Sequence, residues 1–228
     1  MQNKSIIIGD IFILNAHDNK ISKVITLPNN RIASSSYDKT IKIWNSDLVY
    51  NTSPIAILEG HKYIIESIIY IKEKDLLISG SPKGLYMWDM TEYKVKSKID
   101  NLSCSGANAL YQLDDERILV GACDEIQLVN YVNNSIEKTI KSAELGIVRC
   151  FMKMRDNKTI LCGCCGGKFC LFNKNVNQYI VSKNKHRNDI TDLLSINDDT
   201  FMSCSLDYSI KVWKYEYMLY NIFIIRLI

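Results

Sequence analysis

The sequence lacks the features that would assign it to a class of protein at once. Its 228 residues include 28 Lys or Arg and 25 Asp or Glu, so its net charge is +3. That charge is too small to indicate nucleic acid or membrane binding by itself. The only local basic cluster, SKNKHR at 182–187, is typical of a solvated loop. Eight cysteines fall short of a secreted disulfide scaffold, which favours reduced thiols.

Long apolar runs are also missing. The first residues, MQNKSIIIGDIFILNAHD, could imitate a signal peptide, but Gly9 and Asp10 interrupt the run. The last residues, MLYNIFIIRLI, are too few to span a bilayer. We therefore expect an intracellular protein without a membrane partner, with the cytoplasm favoured over the nucleus.

What the chain has instead is repetition. The segment SSSYDKTIKIW at 34–44 returns as SCSLDYSIKVW at 203–213, with 8 of 11 positions identical or conservatively changed. Alternating apolar residues, interrupted by turn-forming residues, predict short half-buried strands. Five such segments follow one another at steps of 41 to 44 residues, and they end at Trp44, Trp88, Val129, Phe172 and Trp213. About four strands per unit of this length is the spacing of a β-propeller blade.

The histidines and tryptophans share one spacing. The chain has three of each, and every histidine lies 27 residues before a tryptophan: His17 and Trp44, His61 and Trp88, His186 and Trp213. A Gly-His dipeptide stands at 60–61 and a Trp-Asp dipeptide at Trp88 and Asp89, while the other copies are degenerate. On these residues the chain resembles the WD-repeat β-propeller family, whose repeats run from Gly-His to Trp-Asp. The resemblance covers about residues 11–217 and is strongest at both ends.

The resemblance implies an all-β propeller of four-stranded antiparallel blades. We predict a single domain over residues 1–228, with a tail at 218–228 that could form an outer strand. Its five repeats lie at about 11–46, 55–90, 98–131, 140–174 and 181–217.

The number of blades leaves a question about closure. Residues 11–17, IFILNAH, resemble residues 55–61, IAILEGH, so the chain is expected to begin with the outer strand of an earlier blade. Most members of the family close with seven blades. Five repeats are compatible with a five-bladed ring, with assembly onto another chain, or with two further blades outside this sequence. Family analogy favours the last, and an open ring would expose its end blades.

In the family, a buried hydrogen-bond chain links a loop histidine, a strand serine, a turn aspartate and the tryptophan. Two complete sets with identical spacing match this tetrad: His17, Ser34, Asp38 and Trp44, and His186, Ser203, Asp207 and Trp213. The second repeat is partial, with His61, Trp88 and Asp89 but no turn aspartate. The tetrad positions of the third and fourth repeats hold mostly apolar residues, among them Leu102, Val129, Leu145, Cys162 and Phe172.

A Ser-His-Asp set also suggests hydrolytic catalysis. A catalytic triad needs an exposed serine and an oxyanion hole, whereas this set occurs twice and ends each time on a tryptophan. We therefore interpret both sets as structural. The chain has no phosphate-binding glycine loop and all three histidines belong to the repeat frame, so neither an enzyme nor a cofactor is predicted.

The segment LCGCCGGKFC suggests a zinc site, because it holds Cys162, Cys164, Cys165 and Cys170. On a strand, however, Cys162 and Cys164 point to one face and Cys165 to the other. Aligned with the first repeat, Cys162 and Cys164 replace Ser34 and Ser36. Cysteine is small and readily buried, so we interpret these residues as packing and predict no metal site.

The resemblance implies a non-catalytic scaffold for protein–protein interaction within a multiprotein complex, with proteins or peptides as partners. One alternative is a substrate receptor of a ubiquitin ligase, but such members often carry an arginine two residues after Trp-Asp, where this chain has Thr91. A second alternative is an RNA-associated propeller of a ribosome-assembly complex. The small net charge and the absence of a long basic stripe do not favour binding to nucleic acid.

The partner would bind at the face formed by the histidine loops and the tight strand turns. Tyr37 and Leu206 directly precede the turn aspartates and are expected to be exposed, so both are candidate anchors. The full set of candidates is Lys20, Ser22, Tyr37, Glu66, Asp189, Thr191 and Leu206. The alternative for each is that it only covers the end of the central channel.

Overall fold

The computed structural model describes most of the chain. The described ranges are residues 16–46, 53–100, 102, 106–154, 158–173, 178–181, 185–197, 199–217 and 223–227. For 178–181, 215–217 and 223–227, the description is limited to the backbone.

The described chain folds into twenty strands in five antiparallel sheets. Blade 1 comprises β1 (Ile21–Leu27), β2 (Arg31–Ser36), β3 (Ile41–Asn45) and β4 (Ala56–Leu58). Blade 2 comprises β5 (Ser67–Ile71), β6 (Leu76–Ser81), β7 (Gly84–Asp89) and β8 (Lys94–Asp100). Blade 3 comprises β9 (Ala109–Gln112), β10 (Arg117–Gly121), β11 (Glu125–Asn130) and β12 (Ser135–Lys141). Blade 4 comprises β13 (Val148–Lys153), β14 (Thr159–Cys164), β15 (Phe169–Asn173) and β16 (Gln178–Val181). Blade 5 comprises β17 (Ile190–Ser195), β18 (Thr200–Ser205), β19 (Ile210–Tyr217) and β20 (Phe223–Leu227).

Each sheet follows chain order from its inner to its outer strand. The second and third strands join through tight turns, and in four blades the turn contains positive φ values: at Lys39, at Asp124, at Gly166 and Gly167, and at Tyr208. The outer strand of blade 1, β4, lies just before His61 and therefore belongs to the second sequence repeat. Sheet and sequence repeat are thus out of phase by one strand.

The first strand of every blade lines a common central cavity of about 640 Å³. Neighbouring inner strands pack along one another from β1 through β5, β9 and β13 to β17. In three of them a β-bulge re-aims one side chain, at Ser22, Arg149 and Thr191. The bulges lie near the end of the cavity where the histidine loops enter, which fixes the side chains around that opening.

The hydrophobic core is divided among the contacts between neighbouring blades. Four clusters of buried side chains each draw on two adjacent blades: 1 with 2, 2 with 3, 3 with 4, and 4 with 5. Trp88 in the first and Phe201 in the last are almost fully buried. Burying an aliphatic or aromatic side chain of this size contributes roughly 1.5–3 kcal/mol, so these contacts supply most of the stabilisation of the array.

The predicted fold class is confirmed: the protein is an all-β propeller with five four-stranded blades. Of the outer strand predicted at residues 11–17, residues 11–15 lie outside the described residues, and residues 16 and 17 are not in a strand. Within the tail, Phe223–Leu227 pairs with β19 as the outer strand of blade 5. The only helical segments in the described ranges are two three-residue 3₁₀ turns, and no helix there is long and apolar enough to cross a membrane.

Candidate protein-interaction face

The first tetrad is a continuous hydrogen-bond chain. The indole Nε1–H of Trp44 donates to Ser34 Oγ at 2.8 Å, and Ser34 Oγ lies 2.7 Å from His17 Nε2. His17 Nδ1 lies 2.7 Å from Asp38 Oδ2. With Nδ1–H donated to the carboxylate, Nε2 accepts the serine hydroxyl proton, and every polar atom of the chain has a partner. The tetrad therefore joins the loop before β1, strand β2, the β2–β3 turn and strand β3.

Blade 5 repeats this geometry. Trp213 donates to Ser203 Oγ at 2.7 Å, and Ser203 Oγ lies 2.6 Å from His186 Nε2. His186 Nδ1 lies 2.9 Å from Asp207 Oδ2. The equal sequence spacing of the two sets thus corresponds to equal contacts in space, at opposite ends of the chain.

The turn aspartates are held ionised by their hydrogen bonds. Burial alone would raise the pKa of Asp38, but donors from Thr40, His17 and the Asp18 backbone outweigh it and lower the pKa to about 2. The pKa of Asp207 is also lowered, first by the Ser209 hydroxyl, against a smaller effect of burial. Each carboxylate therefore also closes its own turn and fixes the preceding loop.

Blade 2 retains part of the tetrad. His61 Nε2 lies 2.6 Å from Ser79 Oγ, to which Trp88 donates at 2.7 Å. The buried Nδ1 of His61 has no hydrogen-bond partner, because this turn carries no aspartate. Burial lowers the pKa of His61 to about 4. Asp89 does not join the tetrad; its carboxylate accepts the Thr91 N–H and hydroxyl.

In blades 3 and 4 apolar side chains take the place of the tetrad. Leu102 and Val129 are buried in the cluster between blades 2 and 3. Leu145, Cys162 and Phe172 pack together in the cluster between blades 3 and 4. All the named tetrad residues of these blades are thus apolar, and none of them leaves a buried hydrogen-bond donor without a partner.

The geometry opposes a catalytic role for the two serines. Ser34 and Ser203 are 4% and 1% exposed, and each hydroxyl oxygen is engaged by an indole and an imidazole. A nucleophilic serine must present its oxygen to a substrate. These serines instead connect strands.

The seven candidate binding residues lie in two groups and one separate position. Lys20 and Tyr37 form one group: the Lys20 ammonium lies 5.1 Å from the centre of the Tyr37 ring, and the Tyr37 N–H donates to the Lys20 carbonyl. This cover leaves Tyr37 half-buried, although the sequence suggested exposure. Ser22, nearby on the β1 bulge, pairs with the Ser35 hydroxyl at 2.9 Å.

Asp189, Thr191 and Leu206 form the second group, at blade 5. The Leu206 N–H donates to the Asp189 carbonyl at 2.9 Å, and the Leu206 side chain is 52% exposed. Asp189 also accepts from Gly166 N–H at 2.9 Å and from the Arg149 guanidinium at 3.0 Å, both in blade 4. Thr191 Oγ1 lies 3.3 Å from the Cys204 carbonyl. Asp189 therefore ties the loops of two blades together.

Glu66 stands apart on blade 2. Its Oε2 atom is buried and has no hydrogen-bond donor. Burial raises the pKa of this carboxyl, and the charge of Arg149 opposes the effect. Arg149 lines the central cavity, and its charge acts on Glu66. The repeat spacing did not single out Arg149.

Sequence reasoning missed two residues of this face. Arg149 was missed because blade 4 has neither the histidine nor the tryptophan that sets the frame; it occupies the same β-bulge as Ser22 and Thr191. Tyr208 was missed because it follows the turn aspartate, whereas the predicted anchors, Tyr37 and Leu206, precede it. Its side chain is fully exposed at a φ of 65°. A bulky residue at the left-handed turn position is uncommon, and its place after Asp207 was the available signal.

The cysteine cluster forms a packed layer. Cys162, Cys164 and Cys170 are buried in the cluster between blades 3 and 4, and Cys162 faces Cys170 across the β14–β15 pair. Cys165 points elsewhere and accepts the Ile147 N–H. Over the ranges that the structure covers, no three His, Cys, Asp or Glu side chains converge as metal ligands. Burial raises the pKa values of the Cys162 and Cys164 thiols.

Five four-stranded blades around one cavity, braced by Trp-Ser-His-Asp chains, define a β-propeller of the WD type. The family model for the WD40 domain, the G-beta repeat, matches residues 9–45 and 177–214, which contain the two complete tetrads. Over these two segments, the resemblance to the WD-repeat β-propeller family that the sequence predicts is confirmed.

The names of three curated relatives all refer to the ribosome. The chain is 24% identical to the "Ribosome biogenesis protein YTM1" of Debaryomyces hansenii over 90% of this chain and 56% of the relative. It is 31% identical to the "Ribosome biogenesis protein WDR12 homolog" of Nematostella vectensis over 33% of this chain and 18% of the relative. It is 28% identical to the "Small ribosomal subunit protein RACK1" of Caenorhabditis elegans over 35% of this chain and 27% of the relative. The chain thus spans about half the length of the first of these relatives, and less of the others.

Proposed function

We propose that the protein is a non-catalytic scaffold that holds a protein partner at the loop face, the end of the propeller where Lys20, Ser22, Tyr37, Glu66, Asp189, Thr191 and Leu206 lie. The observation that carries the proposal is the pair of exposed side chains, Leu206 and Tyr208, on one braced turn. Large apolar and aromatic side chains on a backbone that is already ordered make good anchors, because less conformational entropy is lost on binding.

The turn that carries these anchors is held on several sides. Asp207 between them accepts from the Ser209 N–H and hydroxyl and lies 2.9 Å from His186 Nδ1. The Leu206 N–H is bound to Asp189, which Arg149 and Gly166 fix from blade 4. The anchors therefore project from a rigid support. Beside them, Arg149, which pairs with Asp189, presents a positive charge to polar groups at the rim of the interface.

We propose ribosome assembly as the setting of this scaffold, because two of the relatives are named as ribosome biogenesis proteins. The third is named as a protein of the small ribosomal subunit. The net charge of +3 favours a contact with protein components of such an assembly over direct binding to RNA. An intracellular location agrees with this setting. The early steps of eukaryotic ribosome assembly occur in the nucleus, so the proposal favours the nucleus over the cytoplasm that the sequence suggested.

The test is co-sedimentation with pre-ribosomal particles. An affinity-tagged chain would be expressed in cells of its own species, and lysates would be separated on sucrose gradients with precursor ribosomal RNA as the marker. The face variant is Leu206→Asp with Tyr208→Asn, since asparagine tolerates the left-handed turn. Val132→Asp, at a 53%-exposed position on blade 3, is the matched control.

We expect the wild type and the control in the particle fractions, with at least a tenfold smaller share for the face variant. If the wild type stays at the top of the gradient with free proteins, the ribosome-assembly proposal is wrong. If all three proteins co-sediment equally, the assembly proposal stands and the loop-face anchors are wrong.

A further inference from the structure

Blade 2 buries a polar atom that the complete tetrads of blades 1 and 5 satisfy. His61 is 6% exposed, and its Nδ1 atom has no hydrogen-bond partner among the described residues. Ser79 Oγ lies 2.6 Å from Nε2 of this ring and 3.5 Å from its other acceptor, the Tyr86 carbonyl. The serine hydroxyl therefore gives its proton to Nε2, and Nδ1 carries the ring proton. A buried N–H without an acceptor costs free energy, so an acceptor supplied by another molecule would be favoured here.

The complete tetrads show which acceptor fits. His17 Nδ1 and His186 Nδ1 lie 2.7 and 2.9 Å from the carboxylate oxygens of Asp38 and Asp207. The carboxylate is the member nearer the surface in both, since the aspartate side chains are 10% and 6% exposed and the histidine side chains 0%. A carboxylate that approaches blade 2 from the loop face would take the same place.

The turn of blade 2 leaves this place to a group from outside. The tryptophan follows the tetrad serine by nine residues, compared with ten in blades 1 and 5. Pro82 and Lys83 form the shortened turn, and neither side chain is an acceptor. Gly84 stands where Thr40 and Ser209 place hydroxyl oxygens 3.3 and 3.2 Å from the histidine Nδ1. Both acceptors of the complete tetrads are therefore missing from this blade.

Three exposed lysines lie on the segments next to this histidine. Lys62 directly follows it, Lys83 is in the turn of blade 2, and Lys39 is in the turn of blade 1. The turn of blade 1 is joined to the histidine loop, because the Ser36 carbonyl accepts the N–H groups of Lys39 and Ile65, each at 3.2 Å. None of the three ammonium groups has an ion-pair or hydrogen-bond partner within the part of the chain that the structure describes.

The acids on these segments do not neutralise the lysines. Asp38 is engaged by His17 and by the N–H and hydroxyl of Thr40 in its own turn. Glu59, two residues before the blade 2 histidine, is exposed and forms no ion pair with the described lysines. Cationic groups around a buried N–H donor favour a negatively charged acceptor, because hydrogen bonds to an ionised acceptor are stronger than neutral ones.

We propose that blade 2 binds an acidic side chain of the protein partner, whose carboxylate accepts the His61 Nδ1–H and completes the tetrad beside Lys39, Lys62 and Lys83. The ligand is an aspartate or glutamate within an acidic segment. A carboxylate is favoured over the phosphates of RNA, because it is the group that both complete tetrads hold at this position. The inference rests on the proposed function, since it assigns the chemistry of the partner at the loop face, but it depends neither on the ribosomal setting nor on the blade 5 anchors.

The probe is a fluorescein-labelled peptide of six glutamates, with a peptide of six glutamines as its uncharged match. Binding to the full chain would be measured by fluorescence anisotropy. The patch variant carries Lys62→Gln and Lys83→Gln. The matched control carries Lys72→Gln and Lys74→Gln, at exposed positions between β5 and β6 at the opposite end of the blade. A third variant, Lys83→Asp, supplies a carboxylate within the blade 2 turn itself.

Nitrogen-15 labelling of the histidines adds a readout that a general charge effect would not move. The chain has three histidines, and His17 and His186 already contact carboxylates, so they serve as internal controls. A new hydrogen bond at Nδ1 should shift the His61 resonance when the glutamate peptide is added, while the other two stay in place.

We expect the glutamate peptide to bind the wild type and the control, and to bind the patch variant and Lys83→Asp at least tenfold more weakly. Circular dichroism verifies the fold of each protein, and Pro82→Asp replaces Lys83→Asp should that variant not fold. Equal binding of the two peptides, or no binding of either, overturns the proposal. An unmoved His61 resonance also overturns it, since the lysines then act only as a basic surface.

Two further outcomes are distinguished. A uridine hexanucleotide that binds as tightly as the glutamate peptide and shifts the same resonance overturns the choice of a carboxylate. The gradient experiment tests the proposed function separately: particle association that depends on Leu206 and Tyr208 stands even when the peptide fails to bind. Peptide binding likewise stands when the chain remains at the top of the gradient.

Discussion

Gly167 packs so closely against His186 that a Cβ atom at position 167 would lie 2.0 Å from the His186 carbonyl oxygen. The Gly167 carbonyl in turn accepts the N–H groups of Lys185 and His186, at 2.7 and 3.1 Å. The β14–β15 turn of blade 4 is thereby locked onto the loop that delivers the tetrad histidine of blade 5.

This contact predicts different costs for two adjacent glycines. Gly166 and Gly167 have φ of 66° and 74°, so alanine carries a similar backbone penalty of about 1 kcal/mol at both. A Cβ at 166 meets nothing within 4 Å, whereas one at 167 must displace the histidine loop. We expect Gly167→Ala to lower the free energy of unfolding by a further 1–3 kcal/mol or so, in the range of overpacking. Urea denaturation of both variants measures the difference, and equal losses would contradict the rigid contact.

The tetrad serines predict a stability loss. Ser203→Ala leaves the buried Trp213 Nε1–H and His186 Nε2 without partners, which costs about 1–3 kcal/mol. Ser34→Ala should cost a similar amount, and the two losses should add because the sites share no partner. Ser195→Ala, at an exposed site on β17, is the control and should change stability by less than about 0.5 kcal/mol. Thermal unfolding of five proteins, the wild type, the two single variants, their double variant and the control, measures these losses. A negligible loss for either tetrad serine would show that its hydrogen bonds are dispensable.

His61 predicts a pH dependence. Its pKa is lowered from 6.5 to about 4 in the folded state by burial, so below pH 6.5 the unfolded chain binds a proton that the folded chain does not. Stability is therefore lost as the pH falls from 6.5 towards 4, by up to about 2 kcal/mol at pH 5. His61→Gln, which keeps a polar side chain toward Ser79, should lose less stability than the wild type between pH 7 and pH 5. Urea midpoints at the two pH values provide the measurement, and parallel losses in both proteins would rule out this role of His61.

The cysteines predict selective alkylation. Burial raises the pKa of Cys150 to about 12 and raises those of Cys162 and Cys164, so these thiols should react slowly with iodoacetamide at pH 8. Cys123, Cys165 and Cys204 are partly exposed and should be labelled first. Peptide mass mapping over a time course reports the order, with denatured protein as the control that all thiols can react. Early labelling of Cys162 would contradict the packed layer.

Much of the fold follows from the sequence because the residues that repeat are joined by hydrogen bonds in the structure. The 27-residue step from histidine to tryptophan reflects a physical hydrogen-bond chain, so it located blades 1, 2 and 5 and the residues of both complete tetrads. Blades 3 and 4 were located by strand alternation alone, which fixes a strand but not the aim of each side chain. Arg149 was not predicted for that reason. A β-bulge at this residue places it at the cavity lining, and strand alternation does not reveal a bulge.

Whether the apolar face of a given blade is buried or exposed could not be predicted from local sequence. Ile41 and Ile210 stand in nearly identical segments, TIKIW and SIKVW, yet one is fully buried and the other is 67% exposed. Local pattern sets which face of a strand is apolar, and the presence of a neighbouring blade decides whether that face is buried. Tyr37 shows the same limit on a smaller scale, because the cover over its ring comes from Lys20 on a different loop.

Within the described residues, no cluster of buried side chains joins blade 5 to blade 1, so this part of the chain is a one-dimensional array with two end blades. There, blades 2, 3 and 4 each pack on two neighbours, whereas blades 1 and 5 each pack on one. In such arrays, opening begins at the termini and spreads inward. Amide hydrogens of β6, β10 and β14 should therefore exchange with solvent more slowly than those of β2 and β18 in the isolated chain. The complete tetrads sit in those two end blades, so the strongest polar bracing occurs where fraying would begin.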